Sequence, residues 1–319
     1  MVWAAVLFLL GLGLIVKGGD LFVDAAVWMA EVSGMPQLLI GATVVSVATT
    51  LPEQLVSFLA AAQGRTEMAV GNAVGSVTAN TGLILALSVF LLPTAVSRRE
   101  LWTRGSLMAV SALALFDFCR DGALERIEGV ILLLLFAGFF LLSVRGAMRQ
   151  NPSAAARIRP SGRDVRRNLS WFLIGAAALA AGSHLLVENG AALAAALGVP
   201  DRIISVTLIA VGTSLPELVT AVTALLKRQA SRSVGNILGA NIIDLTLIAP
   251  VCALLSRRSL PVSRGSVLLD LPFCAAEAIL AVVPALILRR FTRFQGAAML
   301  ALYLLYLTLT LLSRAPGTV

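Results

Sequence analysis

The sequence predicts an all-α polytopic membrane protein of ten transmembrane helices, arranged as two inverted-topology repeats of five. Three observations carry this expectation. The 319 residues are 58% hydrophobic and 13% charged, with a mean hydropathy of +0.92, a composition unsuited to a water-exposed surface. The apolar residues gather into ten continuous runs, each long enough to cross ~30 Å of hydrocarbon as a helix. A shift of 164 positions also lays one half of the chain on the other without a gap, carrying Thr49, Leu51, Pro52 and Glu53 onto Thr213, Leu215, Pro216 and Glu217.

In chain order the runs cover about 2–30, 36–62, 68–92, 102–118, 124–145, 169–196, 202–226, 233–255, 265–288 and 295–313. They are unbroken Leu, Ala and Val stretches, whereas a β-barrel would show short alternating segments. The first run has no preceding Lys or Arg and no small-residue cleavage pattern, so a removable signal peptide is not expected. It pairs with the sixth through Gly11/Gly175, Gly18/Gly182 and Asp24/Glu188. The second and seventh hold the Leu-Pro-Glu copies, and the third and eighth hold Gly71-Asn72 and Gly235-Asn236, with Gly75 and Gly239 four residues on. Small residues at that spacing let helix backbones approach closely. The polar stretch 146–168, with Pro152, Pro160 and several arginines, separates the copies. The expected organisation is a first repeat over 1–145, a cytoplasmic linker over 146–168 and a second repeat over 169–319.

The formal charge of +8 does not mark a nucleic-acid surface, because its distribution follows the membrane. Arg98, Arg99, Arg104, the seven arginines from Arg145 to Arg167, Lys227, Arg228, Arg232, Arg289, Arg290 and Arg293 fall on one side of a ten-span layout. Arg65, Arg120, Arg126, Arg202, Arg257, Arg258, Arg264 and Arg314 fall on the other, half as many. The richer side is expected in the cytoplasm and both termini outside a cell membrane of bacterial or archaeal type. Five spans per copy then make the repeats antiparallel in the membrane, an arrangement typical of secondary transporters, with a site at the midplane where the copies meet.

The paired motifs supply residues for such a site. Thr49, Thr50 and Glu53 share a helix face by their three- and four-residue spacing, as do Thr213, Ser214 and Glu217. Ser76 and Asn80 are likewise four apart, and Ala240 and Asp244 take their places in the second copy. Pro52 and Pro216 lack a backbone N–H, which releases carbonyls near Ser46–Thr49 and Ala210–Thr213. Carboxylate, amide, hydroxyl and carbonyl oxygens without clustered Cys or His suit a hard cation such as sodium or calcium, not zinc or copper. Three acids at helix centres cost roughly 7–10 kcal/mol on insertion scales. Repetition of that cost at one offset favours function over packing.

These residues resemble the sodium/calcium exchanger branch of the cation/calcium exchanger superfamily. Gly212-Thr213-Ser214-Leu215-Pro216-Glu217 matches its motif in full, Ala48-Thr49-Thr50-Leu51-Pro52-Glu53 nearly so, and both Gly-Asn motifs follow. The resemblance implies four overlapping cation positions centred on Glu53 and Glu217. Further ligands are implied at Thr49, Thr50, Ser76, Asn80, Thr213, Ser214 and Asp244, with main-chain oxygens of Ser46 and Ala210. Thr50 for Ser keeps a hydroxyl, Ala48 for Gly stiffens the helix, and Ala240 for Ser removes a hydroxyl from one peripheral sodium position. The implied activity is electrogenic Na+/Ca2+ antiport by alternating access. The alternative is a proton- or potassium-coupled antiporter of the same superfamily. The linker is far too short for a regulatory calcium-binding domain.

The expected partners are the transported Ca2+ and Na+ and the lipid bilayer; no cofactor, obligate protein partner or nucleic acid is expected. The protein is not expected to be an enzyme, since nucleophilic catalysis needs a distinct base beside one nucleophile, and these motifs are symmetric. A passive cation channel is the remaining class. Cys119, Cys252 and Cys274 lack metal-ligand spacing and read as buried small hydrophobes. Lys17, Asp20, Asp24, His184 and Glu188 read as interfacial or gate residues, and Asp117, Asp270 and Glu277 as structural or interfacial ones.

Overall fold

A computed structural model describes residues 2–32, 46–95, 101–150, 161–226, 230–256 and 258–313. It is helical apart from one short antiparallel pair, β1 (Ala123–Glu125) and β2 (Ser259–Pro261), with Leu124 opposite Leu260. The helices are α1 (Val2–Val32), α2 (Ser46–Thr49), α3 (Leu51–Ala62), α4 (Thr66–Leu91), α5 (101–118), α6 (Arg126–Gln150) and α7 (Gly162–Leu197). They continue with α8 (Asp201–Thr213), α9 (Leu215–Leu226), α10 (230–255), α11 (Ser266–Leu288) and α12 (Arg293–Leu312). Local chemistry marks their ends. The Ser161 hydroxyl accepts the Asp164 N–H at 3.2 Å to start α7, and Gly198 closes that helix at φ 64°.

Seven of these helices (α1, α4, α6, α7, α10, α11 and α12) are long and apolar enough to cross a membrane, and the bent pair α8–α9 makes an eighth. The expected second span begins at 36, and its residues before 46 lie outside the described ones. Only the 12-residue α3 and the four-residue α2 of it are described. The expected fourth span, α5, opens on a π-helical stretch, Leu101–Gly105, before the 13-residue Ser106–Phe118. Arg98, Arg99, Arg157, Arg159, Lys227, Arg228, Arg257 and Arg314 also lie outside the described residues. Helices run into both ends of the polar segment 146–168, α6 to Gln150 and α7 from Gly162.

Packing follows the small residues. Helices α1 and α7 lie antiparallel, backbone on backbone: a Cβ on Gly182 would sit 2.7 Å from the Gly11 carbonyl oxygen, and one on Gly175 2.7 Å from that of Gly18. Gly182→Val is therefore expected to destabilise the protein by about 1–3 kcal/mol, as overpacking does, read as a lower unfolding temperature in detergent. Helix α4 is buried along most of its length, and Gly75 presses on Val206 and Ala210 of α8. Cys119, Cys252 and Cys274 are buried free thiols.

Arg202, counted in the sequence among the basic residues of the arginine-poor side, is buried at 5% exposure. It pairs with Asp270 at 2.6 Å. Lys17 and Asp20 form an exposed pair at 3.5 Å. Glu188 and Asp201 both face Arg65, at 3.8 and 3.7 Å.

Candidate cation site

The Leu-Pro-Glu copies sit at helix breaks. Thr50 separates α2 from α3 (φ −88°, ψ 4°), and Ser214 separates α8 from α9 (φ −83°, ψ 8°), where the axis bends by 43°. In each copy the proline follows the break by two residues, as expected where a helix loses a donor. The breaks place Glu53 and Glu217 in the first turns of α3 and α9. Both are fully buried, and Asp244 of α10 is 1% exposed.

Direct contact joins the two copies here. The Ser214 hydroxyl donates to Glu53 Oε1 at 3.1 Å, and Thr49 lies beside Glu217. The charges of Glu217 and Asp244 act on Glu53, and that of Glu217 on Asp244. The other predicted side-chain donors, Thr49, Thr50, Ser76, Asn80 and Thr213, are all buried. Among the described residues no three Asp, Glu, Cys or His side chains close up tightly enough to hold a metal by themselves. Hydroxyl, amide and carbonyl oxygens must complete any coordination shell.

Sixteen buried side-chain polar atoms among the described residues have no hydrogen-bond partner in the protein. Half of them belong to this group: Glu53 Oε2, Ser76 Oγ, both polar atoms of Asn80, and both oxygens of Glu217 and of Asp244. Unmet buried polar atoms are costly and are usually scattered and few. No ion pair among the described residues involves these acids. Oxygens concentrated in this way make this group the candidate cation site.

The carbonyls are less free than the prolines suggested. That of Ala210 accepts the Ser214 N–H at 3.1 Å and the Thr213 hydroxyl at 3.2 Å. The same hydroxyl lies 3.2 Å from Asn72 Oδ1. It has one proton, so turning it to Asn72 frees a lone pair of Ala210 for an ion. Ser46 opens α2.

Two residues of the site escaped the sequence reading. Asn72 was read only as part of the Gly-Asn motif, yet its amide donates to the Glu53 carbonyl at 3.1 Å and to Ser57 Oγ at 2.9 Å. Its oxygen faces Thr213, so one side chain ties both copies together. Gln54 donates to Thr50 Oγ1 at 2.8 Å and has no amide counterpart, since Leu218 stands in its place. The repetition of Asn72 at Asn236 was the available signal; nothing marked Gln54. Asn72→Ala should weaken calcium binding severalfold and cost about 1–3 kcal/mol of stability through unmet partners, measured by calcium titration of thermal unfolding.

A backbone feature was also unforeseen. Asn80 and Asp244, matched in the two copies, each begin a π-helical stretch, Asn80–Leu85 and Asp244–Ile248. Such turns recur at functional sites because they rotate following side chains and disturb the carbonyl ladder.

Comparison with known proteins bears on the whole chain. Residues 3–145 and 168–312 match the family described as sodium/calcium exchanger protein. The sodium/calcium exchanger MaX1 of Methanosarcina acetivorans is 29% identical over 94% of this chain and 96% of its own. The inner membrane protein YrbG of Escherichia coli (strain K12) is 34% identical over 80% of this chain and 81% of its own. The solved sodium-calcium exchanger NCX_Mj, soaked with 2.5 mM Na+ and 10 mM Sr2+, superposes with a TM-score of 0.66 at 29% identity, covering 96% of this chain and 98% of that one. With its fold, its paired motifs and both halves matched, this chain belongs to the sodium/calcium exchanger family of membrane antiporters.

Proposed function

We propose that the protein exchanges Na+ for Ca2+ electrogenically, by alternating access around Glu53, Glu217, Asp244 and Asn80. The observation that carries this reading is the cross-copy juxtaposition of Glu53 with Ser214 amid eight unpartnered polar atoms. Thr49, Thr50, Ser76, Thr213 and Ser214 supply hydroxyls, and Ser46 and Ala210 main-chain oxygens. Three carboxylates give about three negative charges in a low-dielectric pocket, enough for one Ca2+ or a few Na+ but not for both sets. Sharing ligands makes the ions compete, and competition couples their movements.

The architecture proposed is ten spans in two antiparallel repeats, over 1–145 and 169–319, with both termini extracytoplasmic. It draws support from the reciprocal contacts of Gly11 with Gly182 and Gly18 with Gly175, which exchange repeat-equivalent positions. The matched π turns at Asn80 and Asp244 add to it. Alternating access is then a movement of one helix group against the other around the shared site.

The test is uptake of radioactive calcium into proteoliposomes under separately imposed Na+, K+ and pH gradients. A Na+ gradient alone should drive uptake, accelerated by a membrane potential of the appropriate sign. Uptake driven only by K+ or protons would overturn the assigned coupling ion, and conductance independent of a counter-ion would indicate a channel.

A further inference from the structure

Glu277 lies outside the central group and was expected to be structural or interfacial. It is fully buried in α11, and among the described residues it is the one buried carboxylate beyond Glu217 and Asp244 with both oxygens unpartnered. Its Oε1 fills a notch in α4 at Gly82, where a Cβ would come within 2.6 Å of it. Gly82 is two residues past Asn80 in the same π-helical stretch. There the Ala86 N–H, which an α-helix would direct to the Gly82 carbonyl, points to the carbonyls of Leu83 and Thr81. A backbone with a disturbed carbonyl ladder therefore meets an unpaired carboxylate.

The titratable groups facing Glu277 are Tyr303 of α12 and Cys274 on its own helix. Cys274 in turn faces Asp244 of α10 and Asp270 of α11, while α4 brings Thr78 to this cluster. Helix α5 meets α11 here through Gly105 against Val282, an apolar contact. No salt bridge among the described residues reaches Glu277.

We propose that Glu277 and the Asn80–Leu85 turn form a second cation site, distinct from the central one, which takes a single monovalent cation, a proton or an alkali-metal ion. One carboxylate balances one charge; a divalent ion would leave a net positive charge buried in hydrocarbon, which is costly. The turn is shared with Asn80, so occupancy at Glu277 changes the presentation of the Asn80 amide and with it the affinity of the central site. The proposal rests on the exchanger reading and adds a regulating ion to it.

The test is half-saturating calcium for uptake by the full chain in proteoliposomes, at varied K+, at varied Na+ and at varied pH in separate arms. Competition by Na+ at the central site persists in both proteins, so the signal is the difference between them: in one arm the parent should respond at least fivefold more than Glu277→Gln, within the usual range of coupling. The arm in which the two proteins differ identifies the proton, Na+ or K+. A Glu277→Gln protein that keeps the parent response in every arm overturns the proposal. If Glu277→Gln does not fold, Gly82→Ala, which presses a methyl group on the carboxylate and on Tyr303 without removing the charge, is measured in its place. It should shift the response, and an unchanged one overturns the site. Absence of calcium uptake by the parent chain under any gradient sinks the exchanger reading instead.

Discussion

Glu217→Gln is expected to abolish calcium uptake into proteoliposomes, and Glu53→Gln to do the same. The amide keeps the shape of the side chain but removes a charge from a pocket that offers about three, leaving Ca2+ undercompensated where water cannot make up the deficit. Loss of one ligand charge-assisted to the ion, at about 3 kcal/mol or more, lowers affinity by over a hundredfold. Gln at either position should also spare folding, since it removes a buried, unpaired charge, so an unchanged or higher unfolding temperature should accompany the inactive protein. Uptake at the parent rate by either variant would refute the site.

Asp270→Ala should cost about 3–5 kcal/mol, the penalty for stranding one partner of a buried ion pair. Arg202 is held at 2.6 Å by Asp270, which also accepts the Tyr306 hydroxyl at 3.0 Å. Arg202 donates further to Ser313 at 3.2 Å, and Gly265 leaves room for its guanidinium. Those bonds fasten the start of α8, whose far end carries Ala210 and Thr213, to α11 and α12. The double variant Arg202→Met, Asp270→Leu removes both charges and should recover most of the loss, since well-packed apolar replacements of a buried pair are often neutral. Thermal unfolding in detergent reads both effects. A single variant as stable as the parent would show that the pair contributes nothing.

The central acids were legible because their motif occurs twice. A single Glu after a proline is ambiguous, whereas Glu53 and Glu217 at one offset, each in Leu-Pro-Glu, identify the same structural position in two copies. Asn80 and Asp244 followed from that offset too, although their residue types differ. Arg202 and Asp270 escaped, being 68 residues apart in different helices, so no local spacing relates them. Glu277 has Leu113 at its repeat position, so duplication gave no cue to its burial against Gly82. The π turns were invisible for another reason: they are shifts of backbone hydrogen bonding, and Asn80-Thr81-Gly82 has no composition that distinguishes such a turn from an α-helical one.

Hydrophobic runs and a repeated motif were enough to read a helical membrane protein and to nominate its cation-binding candidates, because partition into lipid and ligand chemistry depend on residue type and on short-range spacing. Which atoms are already engaged was settled by tertiary packing alone. The Ala210 carbonyl bonded, Asn72 bridging Glu53 and Thr213, and Arg202 buried on Asp270 all depend on helices brought together from distant parts of the chain. A hydrogen bond is decided within a few tenths of an ångström, a precision that residue order along one helix does not carry to its neighbour.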